Sequence, residues 1–298
     1  MNISSIYYLA SSLIIFQLLG LNNELINQIV YLFCALGIAT LGVAHGAIDH
    51  VLEGSTRGSL KRRFIYRYLL AILIALILWW FFPSIGLTSF ILFSAFHFGQ
   101  TQLSKIKVQQ KKLNSVYYLS WGILVLSSLL FLNTTELSNE HNLLLILPNV
   151  LNWMIQHASH FLLISGLTFI GLSIYFLIKH NMETEDFFSE IYVLALITLG
   201  SYLLPPFVAF SLFFIFIHSL RAINQEYTYC IKQKIVQSKK QLFMLFVPLT
   251  SVSIIGSIAI LGGLFFLNQT DYIPYAIILI TACVTVPHTF VMNYFYSK

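Results

Sequence analysis

Stretches of about twenty apolar residues, separated by short polar breaks, recur from one end of this chain to the other. Each is long enough to cross a hydrocarbon core roughly 30 Å thick as a helix. With 58% apolar and 9% charged side chains among 298 residues, too little polar surface is available to coat a water-soluble globule. The expected fold is therefore all-α: a polytopic membrane helical bundle forming a single integral-membrane helical domain over residues 1–298. Hydropathy places ten spans at 5–21, 28–51, 64–82, 86–104, 114–132, 158–179, 187–203, 206–229, 241–267 and 271–296. The first lacks a basic leading region and an obvious cleavage site, and is read as a retained span. The segment 142–156, which contains Pro148 and Trp153, is expected to be interfacial or re-entrant.

The basic residues test this map. Arg57, Lys61, Arg62, Arg63 and Arg67 lie between spans two and three; Lys105, Lys107, Lys111 and Lys112 lie between four and five. Lys179 follows span six, while Arg221, Lys232, Lys234, Lys239 and Lys240 lie at the end of span eight or just after it, and Lys298 is last. All sixteen fall on one side if there are ten spans with both termini cytoplasmic, leaving Glu24, Glu136, Glu140 and Asp271 on the other. The expected location is the cell membrane, multi-pass. A net charge of +5 then records orientation and contact with membrane lipid, and no nucleic-acid partner is called for. Cys34, Cys230 and Cys283 have no C-x-x-C spacing and suggest neither a disulfide framework nor a zinc cluster.

Against this apolar background, four histidines stand inside helical stretches: His45 in GVAHGAIDH, His97 in FSAFHFGQ, His218 in FIFIHSLRA and His288 in TVPHTFVMN. Counted back from the basic edge of each span, the rings lie roughly 12–21 Å deep, on four spans that all run toward the cytoplasm. They are expected to share one layer. Buried imidazoles need mutual hydrogen bonds or a cation, and one metal ion would satisfy all of them together. Neutral imidazoles without a nearby thiolate suit iron, copper, zinc or nickel. Asp49, four residues after His45, is placed to orient that ring or to act as a carboxylate ligand, whereas His50 and Glu53 read as the polar exit of span two. Arg221 and Glu226 read likewise at the end of span eight, with Asn224 or Gln225 as hydrogen-bond partners for a metal-bound ring.

Small residues (Gly42, Ala44, Gly46, Ala47 and Gly99) permit close backbone approach beside two of these histidines. Pro287 would loosen the last span and turn His288 inward. His141 and His180 read as solvated. His157 and His160 lie at the far end of span six, away from the proposed layer.

The set HGAIDH at 45–50, HFGQ at 97–100, HSLR at 218–221 and PH at 287–288 resembles the Brp/Blh family of membrane-bound β-carotene 15,15′-dioxygenases, over about residues 40–293. The resemblance implies an Fe(II) enzyme that uses O₂ to cut the central double bond of β-carotene into two molecules of all-trans-retinal. It also implies a functional link to a rhodopsin that uses the retinal. His45, His97 and His218 match histidines taken as iron ligands and catalytic residues in such proteins. The family's third motif usually carries a second histidine four residues after the first, and that position here is Ala222. His288 is the expected replacement in the metal set, with Asp49 second; weak iron binding or a different polyene is the third reading. Aromatic residues, with Phe96 and Phe98 beside His97, would line an apolar path for the polyene.

A histidine-rich membrane transporter or proton channel is the alternative. It predicts internal repeats and paired acidic residues at mid-membrane, and apart from Asp49 deep acidic residues are nearly absent. The H-x-x-H-H boxes of membrane desaturases do not occur, and no lysine lies deep in a span to hold retinal as a Schiff base.

Overall fold

The computed structural model describes residues 3–42, 46–57, 61–106, 111–133, 148–269 and 272–297. Regular structure among these residues is entirely helical. In chain order the helices are α1 (Ile3–Leu19), α2 (Glu24–Gly42), α3 (Asp49–Arg57), α4 (Lys61–Phe81), α5 (Pro83–Leu103) and α6 (Lys111–Leu132), then α7 (Pro148–Gln156), α8 (Ala158–Ile178), α9 (Thr184–Leu203), α10 (Pro206–Lys232), α11 (Lys239–Phe266) and α12 (Ile273–Tyr296). The fold is a polytopic helical bundle. Eight of these helices are long and apolar enough to cross a membrane. α1 has only 17 residues, and α5 is diluted by His97, Gln100, Thr101 and Gln102; with these two, ten helices answer to the ten expected spans.

The remaining two are short. α7 begins at Pro148, where proline's missing N–H costs nothing, so this residue starts a helix instead of interrupting one. α3 corrects the expected second span, which does not run unbroken to residue 51. Its last turn, Ile38–Gly42, widens into a π-helix, and the Thr40 hydroxyl donates back to the Leu36 carbonyl at 2.6 Å. With a side chain competing for the ladder and glycines at 42 and 46, the helix stops and a new one starts at Asp49. Elsewhere the ends follow local chemistry. The Asn23 and Ser238 side chains accept from the backbone N–H groups of Ile26 and Gln241, and prolines occupy the first turns of α5 and α10.

α5 lies at the centre, packed against α4, α6 and α12. From Ser94 to Leu103 nearly every residue is buried, as expected of a helix surrounded on all sides. Its approach to α6 is backbone to backbone: a Cβ on Gly99 would stand 1.8 Å from the Tyr118 carbonyl oxygen, and one on Gly122 1.8 Å from that of Ala95. Only glycine fits at either position, so the close approach expected at Gly99 occurs. Around this pair, Tyr117, Trp121, Phe169, Phe176, Leu212 and Phe213 form the largest apolar core. A second core joins α3, α4, α10, α11 and α12 through Ile48, Leu52, Phe64, Phe246 and Met292. By contrast α11 is largely exposed along its length, consistent with an apolar helix facing lipid.

Candidate functional site

The buried half of α5 presents His97 to two other helices. Its ring centroid is 4.9 Å from that of His218 on α10 and 4.8 Å from that of His288 on α12, both edge to face. All three residues are at most 3% exposed. Residues 97, 218 and 288 thus meet in one place, His97 being more than a hundred positions from each of the other two. His45 lies outside the described residues.

Local structure explains how His218 is aimed. Phe213–Ser219 forms a π-helical stretch within α10, a distortion that re-aims side chains and recurs at functional sites. His218 stacks on Phe214 at 5.4 Å and meets the edge of Phe98 at 4.7 Å. The π turn of α2 packs against this stretch: a Cβ on Gly42 would lie 2.7 Å from the Phe214 ring. One small residue beside the HGAIDH motif therefore lets α2 reach the ring that supports His218. Phe98 packs on Phe213 and Phe214, whereas Phe96 faces Tyr118.

On α12, which continues through Pro287, the His288 Nδ1–H donates to the two Asp49 oxygens at 2.8 and 3.0 Å. Tyr68 on α4 donates its hydroxyl to Oδ2 of the same carboxylate at 3.3 Å. Asp49 is 2% exposed. The expected relation of Asp49 to His45 falls on a residue outside those described; among the described residues Asp49 is partnered by Tyr68 and, across 239 positions of sequence, by His288. Spacing along one helix cannot find such a partner, and Tyr68 gave no sequence signal beyond being a tyrosine among many. Glu53 is not a solvated helix exit either: it is buried and paired with Arg67 of α4.

A polar layer continues along α5 beyond His97. The Gln102 amide donates to Glu190 of α9 at 2.8 Å, and Arg221 of α10 donates to the Gln102 carbonyl at 2.6 Å while standing 3.8 Å from Glu190. Gln225 donates to the Thr101 carbonyl and the Ser104 hydroxyl and accepts from the Tyr296 hydroxyl at 2.6 Å. The Gln100 amide donates to Asn293 at 3.0 Å. Arg221 is therefore a tie between helices and not a snorkelling exit. Gln225 serves helix packing instead of an imidazole, and Asn224 is exposed. Glu226 is wholly buried, and neither of its oxygens has a hydrogen-bond partner among the described residues.

The donor set suits a divalent transition metal. Two imidazoles on one ion, each with a metal–nitrogen distance of about 2.1 Å, have ring centres about 5 Å apart, close to both measured spacings. Among the described residues no three His, Cys, Asp or Glu side chains stand ready to hold an ion; His45 is not among those residues. The other histidines do not join this cluster. His157, at the start of α8, donates from Nδ1 to the Trp153 carbonyl of α7 at 2.8 Å and lies 5.7 Å from the ring of His160 on α8. His180 is exposed at the turn after α8, with φ 55°. His141 lies outside the described residues.

A family model for beta-carotene 15,15'-dioxygenase matches residues 36–296. A curated beta-carotene 15,15'-dioxygenase from an uncultured marine bacterium, 66A03, is 27% identical over 278 residues, covering 89% of this chain and 94% of that relative. No solved structure matches.

Proposed function

Because the chain belongs to the beta-carotene 15,15'-dioxygenase family, we propose that it cleaves the central 15,15′ double bond of β-carotene with Fe(II) and O₂, giving two molecules of all-trans-retinal. The observation that supports this most directly is the meeting of His97, His218 and His288 in a dry layer at the centre of the bundle. Membership of a carotene-cleaving family weighs against the transporter reading, although Asp49 and Glu226 are both buried acidic residues.

His45, His97, His218 and His288 would hold the iron, all as neutral imidazoles, since a protonated ring has no lone pair to give. When bound, the iron supplies an open position and the electrons to activate O₂. The overall change balances without a further reductant: the central C=C breaks and each carbon takes one oxygen of O₂ as an aldehyde. The chain's own contribution is to hold its imidazoles still, keep water out and set which double bond lies beside them. Phe98 and Phe214 wall the His218 ring in apolar surface. A polyene dissolved in the hydrocarbon core would reach this layer from the bilayer, without crossing water.

The basic loops would lie in the cytoplasm with both termini, in the cell membrane. Retinal released into the same bilayer suits uptake by a retinal-binding membrane protein such as a rhodopsin. The test is expression in carotene-accumulating cells followed by pigment extraction. Bleaching with a gain of two retinals per β-carotene lost, abolished in His97→Ala, is expected. Unchanged carotene and purified protein without iron would sink the proposal, while longer apocarotenals would overturn central cleavage alone.

A further inference from the structure

Three helices meet at one carboxylate. Asp49 opens α3, accepts from Tyr68 of α4 through Oδ2, and accepts from His288 of α12 through both oxygens. His288 in turn lies against His97 of α5. An ionised carboxylate only accepts, and a tyrosine hydroxyl at 3.3 Å supplies one of its hydrogens. With the carboxylate ionised and the ring neutral, as a metal ligand has to be, the proton shared by Asp49 and His288 is carried by Nδ1. That leaves the lone pair of the neutral ring on Nε2, across the imidazole.

From this we infer that Asp49 and Tyr68 are positioning residues that fix His288 as the Nε2-ligating tautomer. This completes the metal set where Ala222 provides no ring. The inference rests on the proposed iron site. Three features carry it. The carboxylate is buried, so its bonds to His288 and Tyr68 are not exchanged for water. Its two bonds to Nδ1 are short and nearly equal, which fixes the ring's plane as well as its tautomer. And Ala222, four residues after His218, is wholly buried and offers only a methyl group where the motif's second ring would stand. Carboxylate–histidine pairs of this kind raise ligand basicity and hold ring orientation, and their loss typically lowers metal affinity about 10- to 100-fold. Tyr68 acts one step further out, by keeping the carboxylate from rotating away.

The experiment uses the full-length protein in detergent, stripped of metal and titrated with Co(II). Co(II) visible absorption reports ligand number and type. Asp49→Ala is expected to weaken Co(II) binding about 10- to 100-fold and to change the spectrum. Asp49→Asn, whose amide oxygen can still accept from Nδ1–H, should recover part of both. Tyr68→Phe should shift the spectrum with a smaller loss of affinity, and it decides the matter if Asp49→Ala fails to fold. A wild-type spectrum and affinity in both Asp49→Ala and Tyr68→Phe would overturn the positioning role and leave the iron site standing. Absence of Co(II) binding by the wild-type protein would overturn the iron site, and this inference with it.

Discussion

Adding one methyl group at Gly99 should disable the protein through geometry alone. The new Cβ would stand 1.8 Å from the Tyr118 carbonyl oxygen, whereas ordinary contact begins near 3.4 Å. The obstructing atoms are backbone, so no side-chain rotation relieves the clash, and α5 and α6 must part by about 1.6 Å. Overpacking of this kind costs about 1–3 kcal/mol and occasionally more. The gain in helix propensity on replacing glycine with alanine offsets about 1 kcal/mol of it. His97 lies two residues away on the same helix, and misplacing a reacting constellation by about 1 Å can cost on the order of 100-fold in rate. Gly99→Ala should therefore lose about 1 kcal/mol, and up to about 2, in thermal unfolding followed by tryptophan fluorescence, and about 100-fold in β-carotene turnover followed by chromatography. Gly256→Ala is the control, since a Cβ there meets nothing within 4 Å. Wild-type melting and turnover in Gly99→Ala would refute the backbone contact between α5 and α6.

Three further outcomes follow from described contacts. Arg221→Ala should destabilise by about 1–3 kcal/mol, because the Gln102 carbonyl loses its donor and Glu190 its cation, and adding Glu190→Gln should return part of that in a thermal melt. Glu226→Gln should leave carotene bleaching unchanged and the melting temperature equal or higher, because no hydrogen bond to the buried carboxylate is lost. Ala222→His alone should lower thermal stability by about 1–3 kcal/mol, since the alanine is wholly buried. In a His288→Ala background the same change should restore part of the iron content, read by metal analysis of purified protein.

The helical bundle and the meeting of His97, His218 and His288 were legible in the sequence because both follow from one-dimensional patterns. Apolar runs set the helices, and similar distances from a basic edge brought the three histidines to one level. What the pattern missed lies in the third dimension. Asp49 and His288 are 239 positions apart, and nothing in either segment names the other. Glu53, Arg221 and Glu226 looked like polar helix exits because they sit near helix ends, yet each is covered by a neighbouring helix that hydropathy cannot position. The break after Gly42 escaped for a different reason: the residues on both sides are apolar enough to continue, and only the π turn shows that the ladder has already loosened.

The π-helical stretch from Phe213 to Ser219 has a consequence for how this gene can change length. Such a stretch holds about one residue more than an α-helical path over the same distance. Removing one residue between 213 and 217 would let α10 close into a regular α-helix, so the bundle could absorb the loss. Side chains beyond the stretch, Arg221 among them, would keep their faces, whereas the same deletion from a regular turn would rotate everything after it by about 100°. His218 lies inside the stretch and would lose the widened turn that aims it at His97. Along α10, then, this is where a deletion is easiest for the backbone to tolerate, yet it still removes the aim of His218.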